Sequence, residues 1–323
     1  MNKQMKNFLY LMIAVASMSC SKDDKTGTPV EVLPEGYKTE NVVIVVIDGP
    51  RYSETWGEAN RIYIPNRNQM LKDGGVMISD FSNNGQTKTN PGHAAVLTGK
   101  YHDIDNSGIA NPNTPSILQQ WLKFTGKPSS KAWIIASKDK LNVLSNTSNA
   151  EWKDKFRPSF DCGSVDSKGK TGYRTDEETM EVIKTVVKRD QPNLLFVNLL
   201  GPDSRGHENN KPGYLAAIKS TDVQLKEIWD LFQNDARYKG KTTLIVTNDH
   251  GRHLDGVADG FVSHGDQCAG CKHIEFFAIG PDFKQNLTLN KPYEQKDIAS
   301  TAAKLLNLPL VLNEGKVITD IFK

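Results

Sequence analysis

The chain has 323 residues, of which 37% are hydrophobic and 24% charged. That is ordinary globular composition, with enough length for one large core, and it excludes a low-complexity or wholly disordered chain. The 40 basic residues against 38 acidic ones give a net charge of +2, so no nucleic-acid-binding patch is evident.

The chain opens with Lys3 and Lys6 ahead of an apolar run from Phe8 to Ala16, small residues, and Cys20. The run is shorter than the roughly 20 residues a spanning helix needs, so residues 1–19 read as a signal peptide. Ser17-Met18-Ser19-Cys20 resembles a bacterial lipobox, with Ser17 where the strict pattern prefers Leu. That implies lipidation of Cys20 and attachment to a membrane in the cell envelope of a Gram-negative bacterium. The expected product is an outer-membrane lipoprotein, periplasmic or surface-exposed; Ser21-Lys22-Asp23-Asp24 resembles a surface-export signal. Removing Lys3 and Lys6 would leave 38 charges of each sign. Residues 20–38 are polar and carry Gly27, Pro29, Pro34 and Gly36, as a flexible tether does. Residues 39–323 then form a single catalytic domain.

Within that domain apolar runs predict strands at Asn41–Ile47, Val76–Phe81, Ala132–Ala136, Asn193–Leu199, Thr243–Thr247 and Ile274–Ile279. Most are continuous rather than alternating, as in strands covered on both faces. Between them, helical spacing marks Thr114–Phe124, Thr175–Arg189, Leu215–Phe232 and Ile298–Leu306. The alternation predicts an α/β fold: a three-layer α/β/α sandwich with a mostly parallel central sheet.

Sites in such sheets form beyond the carboxyl ends of the strands. Asp48, Asp203 and Asp249 each follow a predicted strand, His207 and His250 accompany the latter two, and His264 precedes the last strand. Asp and His supply the oxygen and nitrogen donors that zinc takes. An Asp after one strand is an ordinary turn or cap; three of them with paired histidines are hard to explain that way. Thr87-Lys88-Thr89-Asn90-Pro91-Gly92-His93 puts Pro91 in the first turn of a helix, with Thr89 near its anion-favouring N-terminus. Metal coordination lowers a hydroxyl's pKa and would make Thr89 a nucleophile; standing alone, Thr89 would read as a helix cap.

Asp48 after its strand, T-x-T-N-P-G-H with a following T-G, P-D-x-x-G-H, T-N-D-H-G, the late H-G and Gly280-Pro281-Asp282-Phe283 together resemble the alkaline phosphatase superfamily. The spelling is nearest its nucleotide pyrophosphatase/phosphodiesterase and Thr-nucleophile alkaline phosphatase branches. The resemblance implies two Zn2+ ions, other divalent metals being possible. One would be held by Asp48, Thr89, Asp249 and His250, the other by Asp203, His207 and His264. It implies in-line attack by Thr89 on phosphorus, a phospho-threonine intermediate, and hydrolysis of that intermediate by water.

For holding phosphate, Gly108-Ile109-Ala110-Asn111 is similar to the family's phosphate-contacting stretch, which points to Asn111, with Asn106 as its competitor. Ser137-Lys138-Asp139-Lys140 is similar to the Lys-Asp-Arg of certain periplasmic alkaline phosphatases. Lys138 and Lys140 would then favour a dianionic monoester, although Lys140 lacks the bidentate fork of Arg. The expected function is therefore a metal-dependent phosphate-ester hydrolase of small phosphorylated substrates, leaning to phosphomonoesters. A phosphodiesterase or nucleotide pyrophosphatase is the alternative. A sulfatase-like hydrolase is disfavoured, because the Thr89 stretch lacks the C/S-x-P-x-R that resembling sulfatases use; a non-catalytic binding lipoprotein is disfavoured because every ligand position is filled. In an exported protein, Cys268 and Cys271 would pair locally or one would bridge to Cys162, in preference to a separate zinc knot. His264 is preferred to His273 as ligand, and His93, His102 and His253 are expected to be structural or peripheral, with His253 near enough to line the pocket.

Overall fold

The computed structural model describes residues 36–323; the expected signal peptide, Cys20 and nearly all of the expected tether lie outside the described residues. The main sheet has eight strands: β1 (Asn41–Ile47), β2 (Val76–Ile78), β3 (Ala132–Ala136), β4 (Ser159–Cys162), β5 (Leu194–Leu199), β6 (Thr242–Asn248), β7 (Phe276–Ile279) and β8 (Leu287–Leu289). Their spatial order is β8-β2-β7-β6-β1-β5-β3-β4. Every neighbouring pair is parallel except those made by β7, which runs antiparallel to both β6 and β2.

Strand β1 shows why a continuous apolar run forms a central strand. All seven of its side chains are buried. Val42, Ile44 and Val46 enter one core, and Val43, Val45 and Ile47 enter the other. With a side-chain period of two, only a strand sandwiched between two layers needs apolar residues at every position.

The helices are α1 (Pro65–Lys72), α2 (Thr89–Thr98), α3 (Ile117–Thr125), α4 (Asp176–Asp190), α5 (Gly201–His207), α6 (Lys211–Gln233), α7 (Ala269–Lys272) and α8 (Asp297–Leu305). Helices α2, α3 and α8 pack on one face through Leu97, Trp121 and Ala302. Helices α1, α4 and α6 cover the other through Met70, Ile183 and Ile228. The three-layer sandwich is thus as expected. Thr175 starts α4 with a capping box to Glu178, and Ser116 starts α3 the same way with Gln119.

The differences lie in short elements. The Val76–Phe81 run divides into β2 and a two-residue strand at Phe81–Ser82, which pairs with Tyr293–Glu294. Strand β4 is at the sheet edge with partly exposed side chains, so it lacks the apolar signal. Helix α5 is nearly two turns long, with Pro202 in its first turn, and is too short to show a period. Among the described residues, no helix is long and apolar enough to cross a membrane.

Candidate active site

Four adjacent parallel strands, β6, β1, β5 and β3, end along one edge, and their registers align the residues that follow. Ile47 pairs with Asn248 on one side and Leu199 on the other, so Asp48 and Asp249 leave the sheet side by side. Ala136 pairs with Asn198, which brings Ser137-Lys138 to the same edge. After β5 the chain turns at once into α5, whose first turn carries Asp203 and whose last carries His207 one helical turn on.

The donor atoms gather in two groups. In one, His250 Nε2 lies 3.5 Å from Asp48 Oδ1 and 3.2 Å from Asp249 Oδ2. In the other, Asp203 Oδ1 is 3.2 Å from His207 Nε2 and 3.4 Å from His264 Nε2, and the two imidazole nitrogens are 3.1 Å apart. The groups are contiguous, for the His250 and His264 rings stack with centroids 3.5 Å apart. His250 Nδ1 donates to the Gly251 carbonyl and His264 Nδ1 to the Thr87 carbonyl, which leaves each Nε2 free as a ligand.

Three buried atoms of the first group have no hydrogen-bond partner: Asp48 Oδ1, Asp249 Oδ2 and His250 Nε2. Orphaned polar atoms at zero exposure are costly. Convergent oxygen and nitrogen donors left unpaired at one point are what a divalent cation would satisfy, so the residues fit the metal the fold implies. Burial holds the His250 imidazole well below its usual range, in the neutral, ligating form. Burial, with Asp249 beside it, pushes the Asp48 carboxyl up to about 7, against the pull of Lys138. Burial would raise Asp203 as well, but Lys138, His207, His264 and Arg252 outweigh it and hold Asp203 well below the carboxylate range.

Thr89 is the first residue of α2 and is buried. The capping position belongs to Lys88, and no side chain caps the helix. The Thr89 hydroxyl is therefore not a helix cap; its nearest polar side-chain contact is Lys138 Nζ at 3.4 Å. Lys138 is itself buried and bridges the two donor groups, 2.9 Å from Asp48 Oδ2 and 2.6 Å from Asp203 Oδ2. Gly92 explains the close seating of α2: a Cβ there would lie 2.5 Å from the Asp249 carbonyl oxygen.

Two proposed phosphate contacts are placed differently. Asn111 Nδ2 is committed to the Val143 carbonyl at 2.8 Å. Its competitor Asn106 is the one beside α2, its side-chain oxygen accepting from the Asn90 amide at 2.9 Å. Lys140 Nζ donates to that same oxygen at 3.2 Å instead of reaching Thr89. His273 stacks on Tyr52 and donates to Ser79, away from the donor groups.

Two residues buttress the site, and sequence reasoning missed one of them. His93, expected to be structural or peripheral, is fully buried; Nδ1 lies 2.8 Å from the Thr89 carbonyl and 3.4 Å from Asp249 Oδ2. Arg252 is also fully buried, ion-paired with Asp203 and donating to the Gly49 carbonyl at 3.0 Å. Its place in D-H-G-R, three residues past Asp249, was the available signal. Cys162, Cys268 and Cys271 are free thiols, so the expected disulfide is not formed.

A sandwich with nucleophile-type and ligand-type residues at the carboxyl edge defines the class: the protein is a member of the alkaline phosphatase superfamily, whose members use divalent metals. Within it, the family model described as Sulfatase matches residues 40–308, and the chain belongs to that family, which makes it an enzyme of the phosphoryl- or sulfuryl-transfer type. The GPI ethanolamine phosphate transferase 1 of Mus musculus is 24% identical over 311 residues, 85% of this chain and 32% of that protein. The chain thus spans about a third of the length of the curated relatives it matches. Murine ectonucleotide pyrophosphatase/phosphodiesterase 5 superposes with a TM-score of 0.65 at 18% identity, over 88% of this chain and all of that one (100%). The phosphonate monoester hydrolase of Silicibacter pomeroyi does so with 0.60 at 12% identity, over 87% and 76%.

Proposed function

We propose that the protein is a metal-dependent phosphate-ester hydrolase in which Thr89 Oγ attacks phosphorus and forms a phospho-threonine. The observation that carries this reading is the uncapped, buried Thr89 hydroxyl at a helix N-terminus beside two converging carboxylate–histidine groups. Asp48, Asp249 and His250 would hold one divalent metal, zinc by their donor chemistry, and Asp203, His207 and His264 a second; when bound, such ions supply positive charge to the attacking and leaving oxygens.

The remaining work falls to the chain itself. The positive end of the α2 dipole draws the phosphoryl group to Thr89. Lys138, 3.4 Å from the hydroxyl and held protonated by Asp48 and Asp203, stabilises phosphoryl charge. His93 fixes the Thr89 backbone, and Arg252 fixes Asp203. A cleft of about 320 Å³ opens beside the site, lined by Lys138, Tyr173, Leu200, Asp203, Ser204 and His207. It shares Tyr173, Leu200 and Ser204 with a larger one of about 780 Å³, giving the leaving group room.

Lys138 alone supports a phosphomonoester. A second reading, a phosphodiesterase or phosphotransferase, is favoured by the engagement of Lys140 with Asn106, which leaves a single cation at the nucleophile. Purified, metal-loaded protein should be compared on an aryl phosphate monoester, the diester and an aryl sulfate. Phosphate-ester turnover that vanishes in Thr89→Ala supports the reading; sulfate turnover with no phosphate-ester turnover defeats it. We further propose that Cys20 carries a lipid that places the enzyme in the cell envelope, on the strength of its leader sequence.

A further inference from the structure

A second set of ligand-type side chains lies outside the two groups around Thr89. His253, Asp266, Cys268 and Cys271 each offer one donor atom, and these four atoms all lie within 4.8 Å of one another. His253 Nε2 is 3.0 Å from Asp266 Oδ2. The other ring nitrogen, Nδ1, is bonded to Asp259 Oδ1 at 2.9 Å, the carboxylate–imidazole support that metal-ligating histidines use to present Nε2. Cys268 caps the N-terminus of α7, its sulfur accepting the Cys271 amide at 3.2 Å. Both thiols are free.

We propose that His253, Asp266, Cys268 and Cys271 form a third metal site, a structural zinc site. Two thiolates, an imidazole and a carboxylate make a closed set of four protein donors, the tetrahedral arrangement of structural zinc. The two sulfurs select zinc over the hard, oxygen-preferring cations. A Cys268–Cys271 disulfide accounts for only two of the four groups; it leaves unexplained why His253 and Asp266 converge on the same point. The backbone around the cluster is close-packed in a way that serves such a site. Gly251 donates to the Cys271 carbonyl at 2.8 Å. A Cβ on Gly251 would lie 2.0 Å from the Gly270 carbonyl oxygen, and one on Gly270 would lie 2.4 Å from that of Arg252. The two arms of the loop therefore touch backbone to backbone, and His264 lies between them in sequence. Asp266 accepts from Thr87 Oγ1 at 2.6 Å through its carbonyl, and His264 donates to the Thr87 carbonyl at 2.8 Å. A zinc ion here would pin the loop that carries His264 against the segment leading to Thr89; this positioning consequence, unlike the site itself, rests on the function proposed above.

The test uses the full-length protein, purified reduced and loaded with Co2+ in place of zinc. Neither group around Thr89 contains sulfur, so a thiolate-to-cobalt charge-transfer band in the near ultraviolet reports this site alone. The wild-type protein is expected to show the band. Asp203→Ala, which removes a ligand beside Thr89, is expected to keep it, and Cys268→Ser/Cys271→Ser to lose it together with one zinc equivalent per chain by elemental analysis. Faster amide exchange in residues 251–273 of the cysteine variant would be the structural readout. Absence of the band in wild-type protein overturns the proposal even if the cysteine variant fails to fold. Recovery of Cys268 and Cys271 as a disulfide from protein isolated without reductant, with no loss of zinc in the variant, overturns it as well.

Discussion

At the scale of single residues the site is a set of paired dependencies. With Thr89 proposed as the reacting group, Thr89→Ala should lower phosphate-ester turnover by on the order of 10³-fold or more while leaving bound metal and fold intact. Turnover within tenfold of wild type would remove Thr89 as nucleophile. Lys138→Ala and Lys140→Ala should separate the two substrate readings. Loss of monoester turnover in Lys138→Ala by about 10²-fold, with little change in Lys140→Ala, is the pattern expected from their contacts. Arg252 touches Asp203 and no proposed reacting atom. Arg252→Met takes from buried Asp203 one of its cationic partners, Lys138 remaining, and should destabilise the protein by roughly 1–3 kcal/mol, read as a shift in the denaturation midpoint. Gly92→Ala places a methyl group against the Asp249 backbone and should cost about 1–3 kcal/mol, with weaker metal retention as α2 is displaced.

The residue scale also shows what a sequence can and cannot carry. Asp48, Asp203, Asp249 and their histidines were legible because strand ends advertise themselves: an apolar run stops and a carboxylate follows. Asn111 is preferred to Asn106 on the likeness of Gly108–Asn111 to the family's stretch, yet a local likeness in an irregular segment does not reveal which side chain faces α2. In the structure Asn106 accepts from the Asn90 amide, whereas Asn111 donates to Val143. Arg252 was overlooked, and the partners of His93 were not foreseen, because both act through other residues and a single sequence shows no partner. The convergence of His253 and Asp266 on two cysteines is likewise invisible without a fold, since the four residues are spread over nineteen positions of loop.

At the scale of elements, long strands and capped helices were read to within about four residues at each end, whereas β4, β8, α1, α5 and α7 were not read. The legible ones bury a continuous face and so must be apolar along their length. The others are short, at an edge or irregular, and tertiary pairing rather than their own pattern makes them regular. Element-level coupling leads to a further expectation. Three unpartnered donor atoms sit where β1 and β6 end, so chelation should loosen the edge of the sheet and not its middle. Removing metal with a chelator should lower the unfolding temperature by several degrees, since cation binding to the folded state contributes about 2.7 kcal/mol at a hundredfold excess over Kd. Amide exchange should rise in residues 48–50 and 249–253 while the centre of β1 stays protected. An unfolding temperature insensitive to chelator would contradict the metal assignment.

At the scale of the whole molecule, the described chain is one catalytic sandwich whose reacting groups all lie on a single edge. Its proposed anchor adds a constraint of location. Cys20→Ala should move the enzyme from the membrane fraction to the soluble one with turnover unchanged, because the anchor and the site are separate parts of the sequence. Persistence of the variant in membranes would defeat the lipidation reading.

Strand β7, running against its neighbours, has a consequence for how such proteins diversify. Because β6 ends and β7 begins at the same edge, the segment joining them leaves and returns beside the catalytic groups without crossing the sheet. Its ends are fixed by Asp249, His250 and His264, but the exposed turn at residues 254–258 between them belongs to no strand. An insertion there would reshape the mouth of the site while every strand keeps its register, so this connection is the natural place to graft new substrate preferences onto an unchanged chemical engine.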